Sequence, residues 1–183
     1  MSSKISLITG GSRSGKSRYA ESLYKDTDDV LYIATAVITD KEMEDRVRMH
    51  RQSRNQRWDT AEQYRDLDNL IYGSKNKNIL LDCVTIMISN LMFDSAMDVE
   101  GMKQEDLNIL EDQIMQEFKK LIKATRIQEK NLILVTNELG SGIVPEYKLG
   151  RIFRDIAGRV NQEIARMSDS VYLVSCGLPI KLK

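Results

Sequence analysis

The sequence predicts an α/β domain built on a mainly parallel sheet with helices on both faces. Three observations carry this. Short aliphatic or β-branched runs recur at residues 5–9, 30–34, 79–82, 132–136 and 171–174. Stretches with apolar residues at helical spacing separate them. The runs are nearly continuous in apolar residues rather than alternating, as expected of strands covered on both sides. At 183 residues the chain suits one domain, 1–183, large enough for a single core.

Each element follows from its residues. Residues 5–9 end in a glycine pair, and residues 16–25 read as helix. VLYIA, residues 30–34, is a second strand, followed by a helix from 40 to about 54. Residues 66–72 form a short helix stopped by Gly73. ILLD, residues 79–82, is the third strand and precedes a Met-rich helical run over 85–93. The acidic DSAMDVEG, closing at Gly101, marks a surface loop. Residues 102–129 make a long amphipathic helix with Leu107, Leu110, Ile114, Phe118, Leu121 and Ile122 on one side. Strands at 132–136 and 171–174 flank a helix over 148–167, and residues 180–182 add a short sixth strand.

Composition narrows the function classes. Lys+Arg and Asp+Glu both total 27, so net charge argues for neither nucleic acid nor a membrane surface. No stretch approaches the roughly 18 apolar residues of a membrane span. The opening MSSKISLITGG is too short in apolar residues for a signal peptide. Cys83 and Cys176 lie in apolar surroundings without CxxC spacing, so both are expected to be reduced and buried in a cytoplasmic protein.

GGSRSGKS, residues 10–17, fits G-x-x-x-x-G-K-[ST] between a strand and a helix, the context of a phosphate loop. Gly10, Gly11 and Gly15 let the backbone of Ser12, Arg13 and Ser14 wrap an anion, with the helix N-terminus adding partial positive charge. Lys16 reaches the β/γ-phosphates and Ser17 is a ligand for Mg²⁺. The competing reading is an ordinary Gly/Ser-rich turn. Asp82, closing ILLD, is the matching Walker-B type carboxylate for the metal. A phosphate loop of this kind opens kinases, transferases and switch proteins alike.

His50 is the single histidine and stands among Arg46, Arg48, Arg51, Arg54 and Arg57. At 100° per residue, Met43, Arg46, Val47, His50, Arg54 and Arg57 share a sector of about 100°. Nearby cations disfavour the imidazolium, which leaves a neutral nucleophile beside phosphate-binding guanidiniums. A solvated histidine on a basic helix is the other reading of the same residues.

Taken together these segments resemble the bifunctional adenosylcobinamide kinase / adenosylcobinamide-phosphate guanylyltransferase family of cobalamin synthesis. The resemblance runs in order through ITGGSRSGKSRYAE (8–21), LYIATA (31–36), D-K-E-M-x-x-R-V-x-x-H-x-x-x-R (40–54) and W-x-T-A-E (58–62). It continues through LLDCVT (80–85), SNLMF (89–93), VTNELGSGIVPE (135–146), GRIFRDIAGRVNQ (150–162) and VYLVSCGLPIKLK (171–183). It implies two reactions: phosphorylation of adenosylcobinamide with ATP or GTP, then transfer of GMP from GTP onto that phosphate through a guanylylated histidine. His50 matches that histidine; some relatives carry two adjacent histidines, where this chain has Met49 and His50.

The resemblance further implies nucleotide contacts at Gly10, Gly11, Ser12, Arg13, Ser14, Gly15, Lys16 and Ser17, then Ala34, Thr35 and Ala36. Arg51, Gln52, Ser53, Arg54, Glu62 and Asp82 complete the set. Glu62 or Asp82 can accept guanine N–H groups, and Asp82 can instead hold Mg²⁺; both assignments stand at this point. Asn137, Glu138, Gly140 and Gly142 lie beyond a strand's carboxyl end, where open α/β sheets bind ligands, and are candidates for the corrinoid side or for a structural turn anchored by Pro145. Arg151, Arg154 and Arg159 are read mainly as a partner or subunit surface, the other reading being that one of them touches phosphate. A homotrimer is implied by the family alone. The alternatives to the bifunctional reading are a small-molecule kinase without a covalent intermediate and a nucleotide-dependent switch protein.

Overall fold

The computed structural model describes residues 3–37, 41, 55–94 and 98–183. The expected helix over 40–54, with His50, Arg51, Gln52, Ser53 and Arg54, therefore lies outside the described residues except for Lys41.

Among the described residues seven strands form one sheet: β1 (Ile5–Gly10), β2 (Val30–Ala34), β3 (Asp59–Glu62), β4 (Asn78–Asp82), β5 (Asn131–Asn137), β6 (Ser170–Ser175) and β7 (Leu178–Lys181). Their order is β3-β2-β4-β5-β1-β6-β7, parallel throughout except for β7, which runs antiparallel to β6. The helices that lie wholly within the described residues are α1 (Lys16–Ser22), α2 (Leu67–Gly73), α3 (Val84–Phe93), α4 (Gln104–Ile127) and α5 (Lys148–Met167). Phosphate loop, central parallel sheet and crossover helices together give a P-loop NTPase-like α/β fold, as the sequence predicts.

Side chains alternate across each strand and so divide between two cores. Ile5, Leu7, Ile33, Leu81, Leu132 and Leu134 face a large core closed by α2, α3, α4 and α5, with Phe118 fully buried in it. Ile8, Tyr32, Leu80 and Ile133 face a smaller core with Ala20 of α1 and Trp58. The Trp58 indole N–H donates to the Thr27 carbonyl at 2.9 Å, which satisfies the one polar group of a buried ring.

Three expectations are corrected. The sequence reading has no strand at 59–62, yet β3 pairs in parallel with β2 at the sheet edge. Its residues, DTAE, are mostly exposed and carry no apolar run, so only pairing to a neighbour makes them a strand. The last strand is Leu178–Lys181 rather than residues 180–182. It is joined to β6 by the two-residue turn Cys176–Gly177, where both residues have positive φ (51° and 79°). That is the primed geometry that matches strand twist. Cys176 is consequently exposed at a hairpin tip, whereas Cys83 is buried as expected. Among the described residues no helix is long and apolar enough to cross a membrane.

The helices α4 and α5 are tied at the surface by Glu163. Its carboxylate takes two hydrogen bonds from Arg166, at 2.9 and 2.8 Å, and lies 3.6 Å from Lys119. Arg166 in the first place, and Lys119 after it, hold the Glu163 carboxyl down at about 2. A depressed carboxyl contributes stability that is fully present above the ordinary value of 4.5 and is lost as pH falls through about 2. Partly exposed pairs contribute about 0.5–1 kcal/mol. Urea unfolding at pH 6 and pH 2.5 should therefore show wild type losing about that much more stability than Glu163→Gln. Parallel losses in the two proteins would remove the ion pair from the stability balance.

Candidate nucleotide site

The parallel registers bring the sequence candidates to one edge of the sheet. Ala34 pairs with Glu62 on one side and with Asp82 on the other, while Gly10 pairs with Asn137. The carboxyl ends of β1, β2, β3, β4 and β5 thus line up Gly10, Ala34, Glu62, Asp82 and Asn137. This is the edge at which open α/β sheets bind ligands.

The loop after β1 has the build of an anion cradle. Gly15 caps α1 with φ 93°, and Arg13 also adopts positive φ at 57°. The Ser14 N–H donates to the Gly11 carbonyl at 3.2 Å and closes the turn. Ser12 and Arg13 are exposed, and a Cβ placed on Gly11 would meet nothing within 4 Å. The open side of the loop therefore lies at Gly11. Ser17, one residue into α1, is half-buried.

Lys16 is buried, and its Nζ donates to the Gly11 carbonyl at 3.1 Å. Burial lowers its ammonium below the ordinary lysine value, with Asp82 and then Cys83 opposing the shift. Asp82 is thus close enough to act electrostatically on Lys16. It also accepts the Tyr32 hydroxyl at 3.1 Å. Burial, and Asp82 after it, push the neighbouring Cys83 thiol up to about 11, so this cysteine stays protonated at neutral pH.

The end of β4 is clamped by a group that the sequence reading placed only as a nucleotide contact. The Thr35 hydroxyl donates to the Cys83 carbonyl at 2.8 Å and lies 2.9 Å from the Cys83 N–H, which donates back to it. The Asn90 side chain of α3 donates to the Thr35 carbonyl at 2.7 Å. Further along the edge, Asn137 donates to Thr85, Thr136 donates to Asn161, and Asn161 donates back to the Asn137 carbonyl, at 2.7, 2.7 and 3.1 Å. These polar ties hold the strand ends in register where backbone pairing stops.

The C-terminal hairpin is the supporting element that sequence reasoning missed. The Gly177 N–H donates to the Ser14 carbonyl at 2.8 Å. An added Cβ on Gly15 would stand 3.1 Å from the Gly177 Cα. The glycines at 15 and 177 were the available signal, since both adopt positive φ (93° and 79°) and Gly15 also lies close against the turn. The arginines of α5 make contacts within the chain. Arg154 donates to the Gly140 carbonyl, Arg151 to the Pro145 carbonyl, and Arg159 pairs with Glu111 of α4. They fasten a loop and a neighbouring helix of their own chain.

Two of the loop glycines should differ sharply on substitution. A Cβ on Gly10 would lie 2.4 Å from the Val174 carbonyl oxygen and 2.6 Å from Ser14 Oγ, against backbone that cannot move aside cheaply. Gly10→Ala should lower stability by about 1–3 kcal/mol. Gly11→Ala, in open space, should stay within about 0.5 kcal/mol of wild type. Thermal melts of the two variants side by side decide the point, and equal midpoints would contradict the packing described.

Comparison with known proteins agrees with this geometry. Residues 6–182 match the family model described as cobinamide kinase / cobinamide phosphate guanyltransferase. The chain is 48% identical to the bifunctional adenosylcobalamin biosynthesis protein CobU of Escherichia coli K12 over 179 residues, 97% of this chain and 98% of that one. It is 47% identical to CobU of Salmonella typhimurium LT2 over the same shares. It is 35% identical over 181 residues to the bifunctional adenosylcobalamin biosynthesis protein CobP of Pseudomonas aeruginosa PAO1, covering 97% of this chain and 96% of that one. With one model spanning nearly the whole chain and relatives aligned end to end, this chain belongs to the cobinamide kinase / cobinamide phosphate guanyltransferase family.

Proposed function

We propose that this chain phosphorylates adenosylcobinamide with ATP or GTP and then transfers GMP from GTP onto the new phosphate, giving adenosylcobinamide-GDP and pyrophosphate. The observation that carries the reading is membership, over residues 6–182, of a family described by both activities. The phosphate loop at the carboxyl edge of the sheet supports it. A homotrimer in the cytoplasm accords with the family resemblance.

In the first reaction the acceptor hydroxyl attacks the γ-phosphorus, its proton leaves, and the bond to the β–γ bridging oxygen breaks. The N–H groups of residues 11–16 and the N-terminus of α1 hold the phosphates. Lys16 exchanges the Gly11 carbonyl for a phosphate oxygen. Its desolvated ammonium gains more from an anionic partner than a lysine in water does. Ser17 and Asp82 offer the hard oxygen donors that suit Mg²⁺, which typically takes few protein ligands and completes its shell with phosphate and water. When bound there, the ion would supply charge neutralisation for the transferred phosphate. Because Asp82 faces Lys16, we assign it to the metal, and we assign the guanine N–H groups to Glu62 at the outer end of the same edge. Ala34, Thr35 and Ala36 then lie between the two.

In the second reaction neutral His50 attacks the α-phosphorus of GTP and pyrophosphate departs. An oxygen of the acceptor phosphate then displaces the imidazole. Covalent catalysis divides one displacement into two easier ones. Arg51 and Arg54, with Gln52 and Ser53, flank this nucleophile in sequence and match the cationic needs of the transferred group.

Two expected outcomes test the reading. Lys16→Ala should reduce both kinase and guanylyl transfer rates by about 10²-fold or more. Near-wild-type turnover in both assays would move the nucleotide away from this loop. Incubation with α-labelled GTP and no acceptor should leave label on the protein, stable to alkali and lost in mild acid, whereas γ-label should not remain. His50→Ala should abolish labelling and guanylyl transfer while retaining much of the kinase step. Full guanylyl transfer by that variant would favour a kinase-type direct displacement.

A further inference from the structure

We propose that the loop after β5, residues 138–147, is the acceptor's binding surface and takes the apolar flank of the corrin ring on Ile143, Val144 and Tyr147. This deepens the function proposed above and rests on it. Four observations converge on the loop.

The first is its place. The Glu138 N–H donates to the Gly10 carbonyl at 3.0 Å, and Asn137 pairs with Gly10 in the sheet. The loop therefore leaves the sheet in direct contact with the phosphate loop, on the side where an acceptor hydroxyl must meet a γ-phosphate. A surface continuous with the catalytic edge suits a substrate.

The second is that the loop is fastened. The Glu138 carboxylate accepts the Gly140 and Ser141 N–H groups at 2.7 and 3.1 Å. Arg154 donates to the Gly140 carbonyl at 2.6 Å, and Arg151 donates to the Pro145 carbonyl at 3.0 Å. Such ties hold the backbone of the loop in place, which lowers the ordering cost of binding.

The third is exposure. Ile143 is 96% exposed, Val144 64% and Tyr147 76%. Three apolar side chains held out in water within five residues, on a loop tied at both ends, mark a binding surface.

The fourth is charge. Arg154 Nη1 is buried at the base of this loop and has no hydrogen-bond partner among the described residues. A buried cationic donor without an acceptor is costly, and an anionic oxygen offsets that cost. The second acceptor of the proposed reaction joins a corrin, apolar at its ring and methyl groups and amide-bearing at its rim, to a phosphate. Apolar tips on a loop whose base holds a guanidinium with one unpaired N–H group match that combination better than they match an apolar partner alone.

The test uses the full chain with both exposed aliphatics made polar, Ile143→Ser with Val144→Ser, against the conservative pair Ile143→Leu with Val144→Ile. KM and kcat are measured for adenosylcobinamide and for ATP, together with affinity for a fluorescent GTP analogue, melting temperature and mass by light scattering. The polar pair should raise KM for adenosylcobinamide at least tenfold, with nucleotide affinity, melting temperature and mass unchanged. The conservative pair should behave as wild type. An unchanged acceptor KM in an active protein would overturn the inference. So would a changed mass in the polar pair, which would give this surface to a second copy of the chain. Failure of wild type to use adenosylcobinamide would sink the proposed function, and this inference with it.

Discussion

The phosphate loop holds its shape because three other parts of the chain press on its backbone. Gly10 lies against the Val174 carbonyl of β6, and its own carbonyl accepts the Glu138 N–H from the end of β5. Ser14 and Gly15 lie against the hairpin turn at Gly177. These approaches are too close for a Cβ at Gly10 and tight for one at Gly15, so the glycines are required by packing before any ligand is considered. Gly11 differs, since its surroundings are open. The same short loop thus contains glycine fixed by the fold and glycine left free to meet an anion.

That constraint links regions far apart in sequence. Residues near 10, 138 and 174–177 meet because β1 is inserted between β5 and β6. The other half of the site hangs on β2 and β4. There the Thr35 hydroxyl exchanges hydrogen bonds with Cys83, and Tyr32 steadies Asp82 from within the smaller core. Lys16 stands between the halves, desolvated by the fold and opposed by Asp82. A buried ammonium whose hydrogen-bond partner is a loop carbonyl is electrostatically under-satisfied. This is a favourable starting state for gripping a phosphate.

The chain spends its arginines in different ways. Those of α5 bind carbonyls and a carboxylate of the same chain, through Arg151, Arg154 and Arg159. Their sequence cannot show which carbonyls a folded loop will bring near. Fastening the loop at 138–147, which leaves the sheet beside Gly10, holds Ile143, Val144 and Tyr147 out in water.

Much of the fold was legible in the sequence, for a physical reason. Strands buried on both faces must be apolar, and helices beside a core must repeat at 3.6 residues, so β1, β2, β4, β5 and α4 are written in local pattern. The phosphate loop was equally legible, because its glycines and Lys16 answer a local backbone requirement. The strand β3 was not, since DTAE has no pattern of its own and is a strand only through pairing with β2. Nor was the exposure of Cys176, which follows from a tight turn with two positive φ angles. The sequence by itself determined which residues are able to do phosphate chemistry. Tertiary structure alone decided which of them share an edge, because strand order and register are settled by long-range pairing and packing that no local window contains.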